Sequence, residues 1–211
     1  MPKFTFIDLF AGIGGFHYGM QRNGFECVYA SEWDVHAREC YTTNFTKTDP
    51  GMFPHHFAGD ITQIDETTIP DHDVLCAGFP CQAFSLAGFR KGFEDTRGTL
   101  FYEIAEILEE KKPQAYFLEN VRGLLNHDGG KTFTVVRRTL NDLGYSTWWK
   151  VVKASDFGLP QHRPRLFLPR QTGARDPAGG ACTGACRRAC RSCFFGWDDA
   201  FHLSTTRAQV P

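Results

Sequence analysis

The chain has 211 residues, enough for one domain or slightly more. Its hydrophobic share of 42% can fill a packed core, yet no apolar run reaches the length of about 18 residues that a membrane span needs. Lys and Arg number 23 against 24 Asp and Glu, so the formal net charge of −1 excludes a global positive field, and any contact with nucleic acid must be a local patch. The N-terminus, Met1-Pro2-Lys3-Phe4, carries no apolar segment with a cleavage site, which places the chain in the cytoplasm with no membrane partner.

In chain order, residues 3–8 read as a first strand ending in Asp8. Ala11-Gly12-Ile13-Gly14-Gly15 then makes a tight turn into a helix over about 13–22. Phe25 to Ala30 is a second strand, followed by Ser31-Glu32-Trp33-Asp34 and a helix to about Asn44. His56 to Ala58 is a weak third strand, and Asp73 to Ala77 a fourth. Thr99 to Glu110 is an amphipathic helix, because Leu100, Ile104, Ile107 and Leu108 share a face. Ala115 to Leu118 is a fifth strand ending in Glu119-Asn120. Thr132 to Leu143 is a helix closed by Gly144, and Ser146 to Val152 continues as a strand. Strands alternating with helices predict an α/β fold, a mostly parallel sheet with helices on both faces.

The glycine turn between a strand and a helix lets the backbone approach a ligand closely. Its spacing is G-x-G-G, not the dinucleotide fingerprint, and a structural tight turn fits it about as well. Glu32 follows the second strand some twenty residues on, where a carboxylate accepts from ribose hydroxyls. Asp60, after the third strand, could accept from an adenine amino group, with Phe10, Trp33 and Ile61 as apolar walls. Each acid alone is more often a helix cap or a solvated loop residue. With no diphosphate cradle evident, S-adenosylmethionine fits better than NAD.

Gly78-Phe79-Pro80-Cys81 puts a thiol on a turn directly after the fourth strand. Arg90, Lys91 and Arg97 follow it, and nearby cations are what lowers a nucleophilic thiol's pKa. A structural thiol is the commoner fate of a cysteine. Glu119, ending the neighbouring strand, could protonate a substrate ring nitrogen if burial raises its pKa. Gln161, Arg163 and Arg165 alternate, so an extended chain would point them one way, towards phosphate or carbonyl oxygen, although a charged edge strand looks the same.

Six segments stand in order: Asp-Leu-Phe-Ala-Gly-Ile-Gly-Gly-Phe (8–16), Glu-Trp-Asp (32–34), Gly-Asp-Ile (59–61), Gly-Phe-Pro-Cys-Gln-Ala-Phe-Ser (78–85), Glu-Asn-Val (119–121) and Gln-x-Arg-x-Arg (161–165). As a set they resemble the DNA cytosine-C5 methyltransferases over about residues 3–168, and most of all the short bacterial restriction–modification enzymes of the HhaI methyltransferase type. The resemblance implies a Rossmann-like S-adenosylmethionine-dependent fold, double-stranded DNA as partner, no metal, and a monomer when complete. It implies that Cys81 attacks C6 of a cytosine flipped out of the duplex and that Glu119 binds N3 and the amino group. Arg163 and Arg165 would hold the ring carbonyl and Glu119. Phe10, Ala11, Gly12, Ile13, Gly15, Glu32, Trp33, Asp60, Ile61, Gly78, Pro80 and Leu100 would line the cofactor pocket, and Ser85, Arg97 and Gln161 would face DNA.

Beyond about residue 168 the composition changes. Residues 171–211 contain no Lys, Glu, Ile or Met and are rich in Ala, Arg, Gly and Cys. The spacing of Cys182, Cys186, Cys190 and Cys193 is poor for a zinc knuckle, so the tail (169–211) reads as out-of-frame translation. Neither the family's target-recognition domain nor its returning segment is recognisable, and Ala87 stands where some relatives have a serine. The expectation is therefore a catalytic domain over 1–168, interrupted by a frameshift or premature stop. The alternatives are a non-catalytic fragment, one half of a split enzyme needing a C-terminal partner, and a tRNA-modifying relative.

Overall fold

The computed structural model describes residues 3–80 and 100–170. Seven strands form one sheet: β1 (Thr5–Leu9), β2 (Glu26–Ser31), β3 (Phe57–Ala58), β4 (Val74–Gly78), β5 (Ala115–Val121), β6 (Lys150–Lys153) and β7 (Pro164–Pro169). Their order is β3-β2-β1-β4-β5-β7-β6. The first five run parallel, and β7 pairs antiparallel with both β5 and β6. The helices are α1 (Gly15–Arg22), α2 (Val35–Phe45), α3 (Leu100–Lys111) and α4 (Lys131–Asp142). Among the described residues no helix is long and apolar enough to cross a membrane.

The two-residue period of the strands sorts their side chains onto two cores. Ile7, Leu9, Leu75, Ala77, Tyr116 and Leu118 face α3 and α4, which contribute Ile104, Leu108, Val136 and Leu140. Phe6, Cys27, Val74 and Cys76 face the other way, against Tyr41 and Phe45 of α2. Burying each large apolar side chain contributes about 1.5–3 kcal/mol, so the double cover is what holds a parallel sheet that has no solvated face. At the N-terminal ends of the strands one carboxylate ties three of them. Asp73 accepts from the Thr5 N–H at 2.8 Å and from the Gln114 side-chain amide at 2.9 Å, which links β1, β4 and β5.

After β3 the chain crosses back past β1 to start β4, so the direction of strand addition reverses between β1 and β4. At such a switch point the loops leaving adjacent strands part and open a crevice beyond the carboxyl ends. Here those loops are the glycine turn after β1 and the Gly78-Phe79-Pro80 turn after β4.

Three sequence expectations shift. The predicted fifth strand ends at Leu118, but β5 runs to Val121, because β7 pairs with it as far as Val121 opposite Arg165. Glu119 is thus inside the sheet, opposite both Gly78 and Phe167. The strand predicted over 146–152 is β6 at Lys150–Lys153, with a single bridge before it between Thr147 and Arg170. The Trp149 ring turns onto α4, edge-on to Phe133 at 5.3 Å and 4.5 Å from the Arg137 guanidinium. Finally, Gln161 and Arg163 are not in a strand: β7 begins at Pro164, and tight turns link the Gln161 N–H to Leu159 O and the Arg163 N–H to Gln161 O. Pro160 and Pro164 bracket that stretch and have no N–H to lend to a ladder.

Beneath the glycine turn lies a buried polar group. Asp8 is fully buried, and its Oδ2 accepts from the His17 N–H at 3.2 Å, capping one of the free donors at the start of α1. The His17 ring stacks on Phe45 with 3.8 Å between centroids and pairs with the Tyr41 hydroxyl at 2.6 Å. Burial pushes the Asp8 carboxyl well above the usual carboxylate range; the His17 N–H opposes this and Glu32 adds to it. A folded-state pKa above the unfolded one means that the folded chain keeps a proton the unfolded chain has lost. That contribution to stability is fully present below the ordinary Asp value of about 4 and is lost as pH rises through the folded value. Asp8→Asn keeps an acceptor for His17 without the titration. In urea melts at about pH 5 and about pH 8, the wild type should lose stability relative to Asp8→Asn on going to the higher pH. Parallel pH dependences of the two proteins would refute a neutral Asp8.

Candidate active site

The glycine turn is shaped by backbone conformations that side chains rarely adopt. Phe10 has φ 54°, Gly12 φ 56° and Gly14 φ 94°. At Gly14 a Cβ would collide with the Phe45 ring, so glycine is required there on both counts. A left-handed Phe10 costs of order 1–3 kcal/mol and persists only because its surroundings impose it. The surroundings are specific: the Ala11 N–H donates to Ser31 O at 3.0 Å, the Gly14 N–H to Ala11 O at 2.9 Å, and the Asn44 amide to Ile13 O at 3.0 Å.

Glu32, expected to meet ribose hydroxyls, also has a structural task. Its Oε2 accepts from the Gly12 N–H at 2.7 Å and its Oε1 from the Asp34 N–H at 2.9 Å. One buried carboxylate therefore fastens the end of β2 to the turn after β1. Each oxygen still has a lone pair for a ligand. Around it large apolar side chains lie open: Ile13 is 62% and Trp33 67% exposed. A Cβ added at Gly12 or Gly15 would meet no described atom within 4 Å, so among the described residues nothing packs against the turn at these two positions.

Asp60 caps the short turn Ile61–Gln63, with Oδ1 accepting from the Thr62 N–H at 3.0 Å and the Thr62 hydroxyl at 2.9 Å. Ile61, expected as an apolar wall, is 4% exposed and packed in the core. Leu100 is partly buried at the start of α3. Ala11 is buried and Pro80 exposed.

On the other side of the switch point stands Glu119. Its Oε1 accepts from Arg165 Nε at 2.8 Å, and its Oε2 lies 3.6 Å from where a Gly78 Cβ would be. Arg165 Nη1 also donates to Pro164 O at 2.9 Å, which fixes the guanidinium. Burial raises the Glu119 carboxyl above its ordinary value, while Arg165 and then Arg163 pull it down. Arg163 is exposed and makes no direct pair with Glu119 among the described residues, so of the two predicted arginines only Arg165 holds the acid. Gln161 is likewise exposed.

Asn120, present in the sequence reading only as part of a motif, is 1% exposed. Its Nδ2 donates to Phe79 O at 2.9 Å, and its Oδ1 accepts from the Val121 N–H at 2.8 Å. It thus pins the turn that leads to Cys81. The only sequence signal was its place beside the acid. Cys81, Ser85 and Arg97 lie outside the described residues, as do the four clustered cysteines and all of 171–211.

The model of the C-5 cytosine-specific DNA methylase family matches residues 4–171. The Type II methyltransferase M.HhaI of Haemophilus parahaemolyticus is 55% identical over 163 residues, which cover 77% of this chain and 47% of that protein. M.NgoBI of Neisseria gonorrhoeae is 54% identical over 162 residues, covering 77% and 49%. The chain therefore spans about half the length of the curated relatives it matches. Among solved structures, the S. pombe Dnmt2 methyltransferase superposes with a TM-score of 0.66 at 21% identity, covering 99% of this chain and 56% of that one. The Entamoeba histolytica methyltransferase EhMeth does so with 0.59 at 19%, covering 82% and 54%. These two distant likenesses speak to the fold alone, whereas the family match runs through every strand and helix described above: the chain belongs to the C-5 cytosine-specific DNA methylase family.

Proposed function

We propose that this chain carries the catalytic centre for methylating cytosine at C5 in double-stranded DNA, in a restriction–modification setting like that of its Type II relatives. One observation carries the reading. Glu119, a carboxyl raised by burial and steadied by Arg165, stands directly beside Gly78, which starts the turn to Cys81, at the same sheet end as the glycine turn.

S-adenosylmethionine fits the space above that turn, and when bound it supplies an electrophilic methyl group. Glu32 would accept from its ribose hydroxyls and Asp60 from its adenine amino group. Trp33 and Ile13 offer open apolar surface, and Gly12 and Gly15 leave room that a Cβ would take. Cys81, as thiolate, would form a bond to C6 of the extruded base. A protonated Glu119 would donate to N3, drawing charge into the ring and leaving C5 nucleophilic as an enamine. Once C5 carries the methyl group, a base takes the C5 proton, the C5–C6 double bond re-forms, the Cys81 thiolate leaves C6 and the N3 proton returns to Glu119. Arg165 holds Glu119 in place, and Asn120, through Phe79 O, fixes the turn from which Cys81 acts.

A second reading rests on length: with relatives about twice as long, the centre would act together with a complementing polypeptide. Incubating the chain with S-adenosylmethionine and a duplex containing 5-fluorocytosine should trap a covalent adduct that Cys81→Ser abolishes. An adduct that survives this substitution would overturn the assignment of Cys81. Adduct only on co-expression with a C-terminal half would favour the second reading, and adduct only on tRNA would shift the substrate.

The acid can be tested without turnover. Arg165 lowers the Glu119 pKa, so Arg165→Met should raise it further, as read by carboxyl-carbon NMR titration against Glu119→Gln. Because Glu119 is proposed to act protonated, the alkaline limb of the rate profile should move to higher pH in that variant, on top of a lower rate. A limb that moves to lower pH would contradict an acid role.

A further inference from the structure

We infer that Arg38 is a positioning residue that sets the spacing between the two cofactor acids, Glu32 and Asp60; the inference rests on the cofactor reading above. Arg38 lies one turn into α2, partly buried. Its Nη1 donates to Glu32 O at 2.9 Å and to Ala58 O, and its Nη2 reaches Phe57 O at 3.4 Å. The guanidinium carbon stands 4.6 Å over the Phe57 ring, and Nη1 is 3.6 Å from where a Gly59 Cβ would be. One planar cation thus gathers the last carbonyl oxygens of β3 and the first one beyond β2.

The topology explains why that clamp matters. β3 is two residues long and lies at the edge of the sheet, with β2 as its neighbour. Ladder hydrogen bonds from Ala30 N to His56 O and from Glu32 N to Ala58 O hold it. So short a strand is a weak anchor by itself. Yet Asp60 follows it by two residues, and the 3-10 turn that Asp60 caps begins directly after. The guanidinium adds donors on the side where the helix faces the strand ends, and joins the Glu32 backbone to the segment that leads to Asp60. A lysine could not do this, because a single ammonium cannot both fork between two strand ends and lie flat on an aromatic ring. In the sequence, Arg38 looks like any solvated helix cation. The clamp exists only once β3 has crossed beside β2.

A role confined to general stability and a role in spacing the acids differ in which ligands they affect. Two probes separate them: S-adenosylhomocysteine, whose adenine amino group Asp60 would accept from, and S-inosylhomocysteine, which has a carbonyl there. Isothermal titration of the full chain should give a preference for the adenosyl ligand of roughly ten- to hundredfold, the worth of a hydrogen bond to a charged group. Asp60→Ala should remove that preference. Arg38→Met keeps apolar bulk on Phe57 but has no donors. It should weaken the adenosyl ligand by about tenfold and leave the inosyl ligand within about twofold, so that the preference collapses. Arg38→Gln, which keeps one donor amide, should fall between, and it serves if the methionine variant does not fold. Equal weakening of both ligands, or an unchanged preference in both Arg38 variants, would overturn the inference while Asp60→Ala still upholds the cofactor reading. An absent preference in the wild type, or one retained by Asp60→Ala, would overturn that reading and the inference with it.

Discussion

One buried carboxylate joins the two loops on which the glycine-turn end of this protein depends. Glu32 accepts from the Gly12 N–H and the Asp34 N–H with its two oxygens. The first bond holds the turn after β1, and the second holds the entry to α2. Hydrogen bonds to a charged acceptor are worth more than neutral ones, about 1.5–3 kcal/mol each. That is the scale needed to impose the left-handed Phe10 beside them. The strained turn and the entry to α2 are thus held by one bonded carboxylate.

The same logic recurs outward from Glu32. Arg38 takes the Glu32 carbonyl and ties it to β3. Asn44, further along α2, takes the Ile13 carbonyl. One helix therefore grips the site at both ends, through groups that side-chain polarity alone would assign to solvent. On the far side of the switch point, Asn120 grips the turn after β4 in a comparable way, with its own backbone neighbour satisfying its remaining oxygen. Asn120 is buried, and both its amide donor and its oxygen are bonded, which is the condition under which a buried polar group rigidifies a site instead of weakening it.

The pairing of Glu119 with Arg165 depends on a different constraint. A carboxyl proposed to act protonated is favoured by burial, but a buried, uncompensated acid would be costly. Placing it in β5, between β4 and the antiparallel β7, gives it partial burial and one fixed guanidinium. The net shift remains upward because burial outweighs Arg165 and Arg163. Arg165 thus steadies the geometry of the acid while working against its protonation, a balance that the more exposed Arg163 affects only through space.

Much of this was legible in the chain itself, and the reasons for the remainder are local. The short apolar stretch around Phe6, Ile7 and Leu9 suits a strand buried on both faces, and the apolar face of Leu100, Ile104, Ile107 and Leu108 is a helical period, so these elements are legible in the chain. The glycine turn, Glu32 and Asp60 each follow a strand and Glu119 lies near the end of one, and parallel strands bring their carboxyl ends together, so their convergence follows from order in the sequence. The length of β5, the exclusion of Arg163 from a strand and the burial of Ile61 depended on what lay alongside. So did the roles of Arg38 and Asn120. Their partners are backbone carbonyls on other elements, twenty and forty-one residues away, and a carbonyl has no letter in the sequence. The sequence by itself singled out the side chains proposed to carry the chemistry. Only the tertiary structure decided which side chains hold them still, because that depends on backbone groups brought together by sheet order.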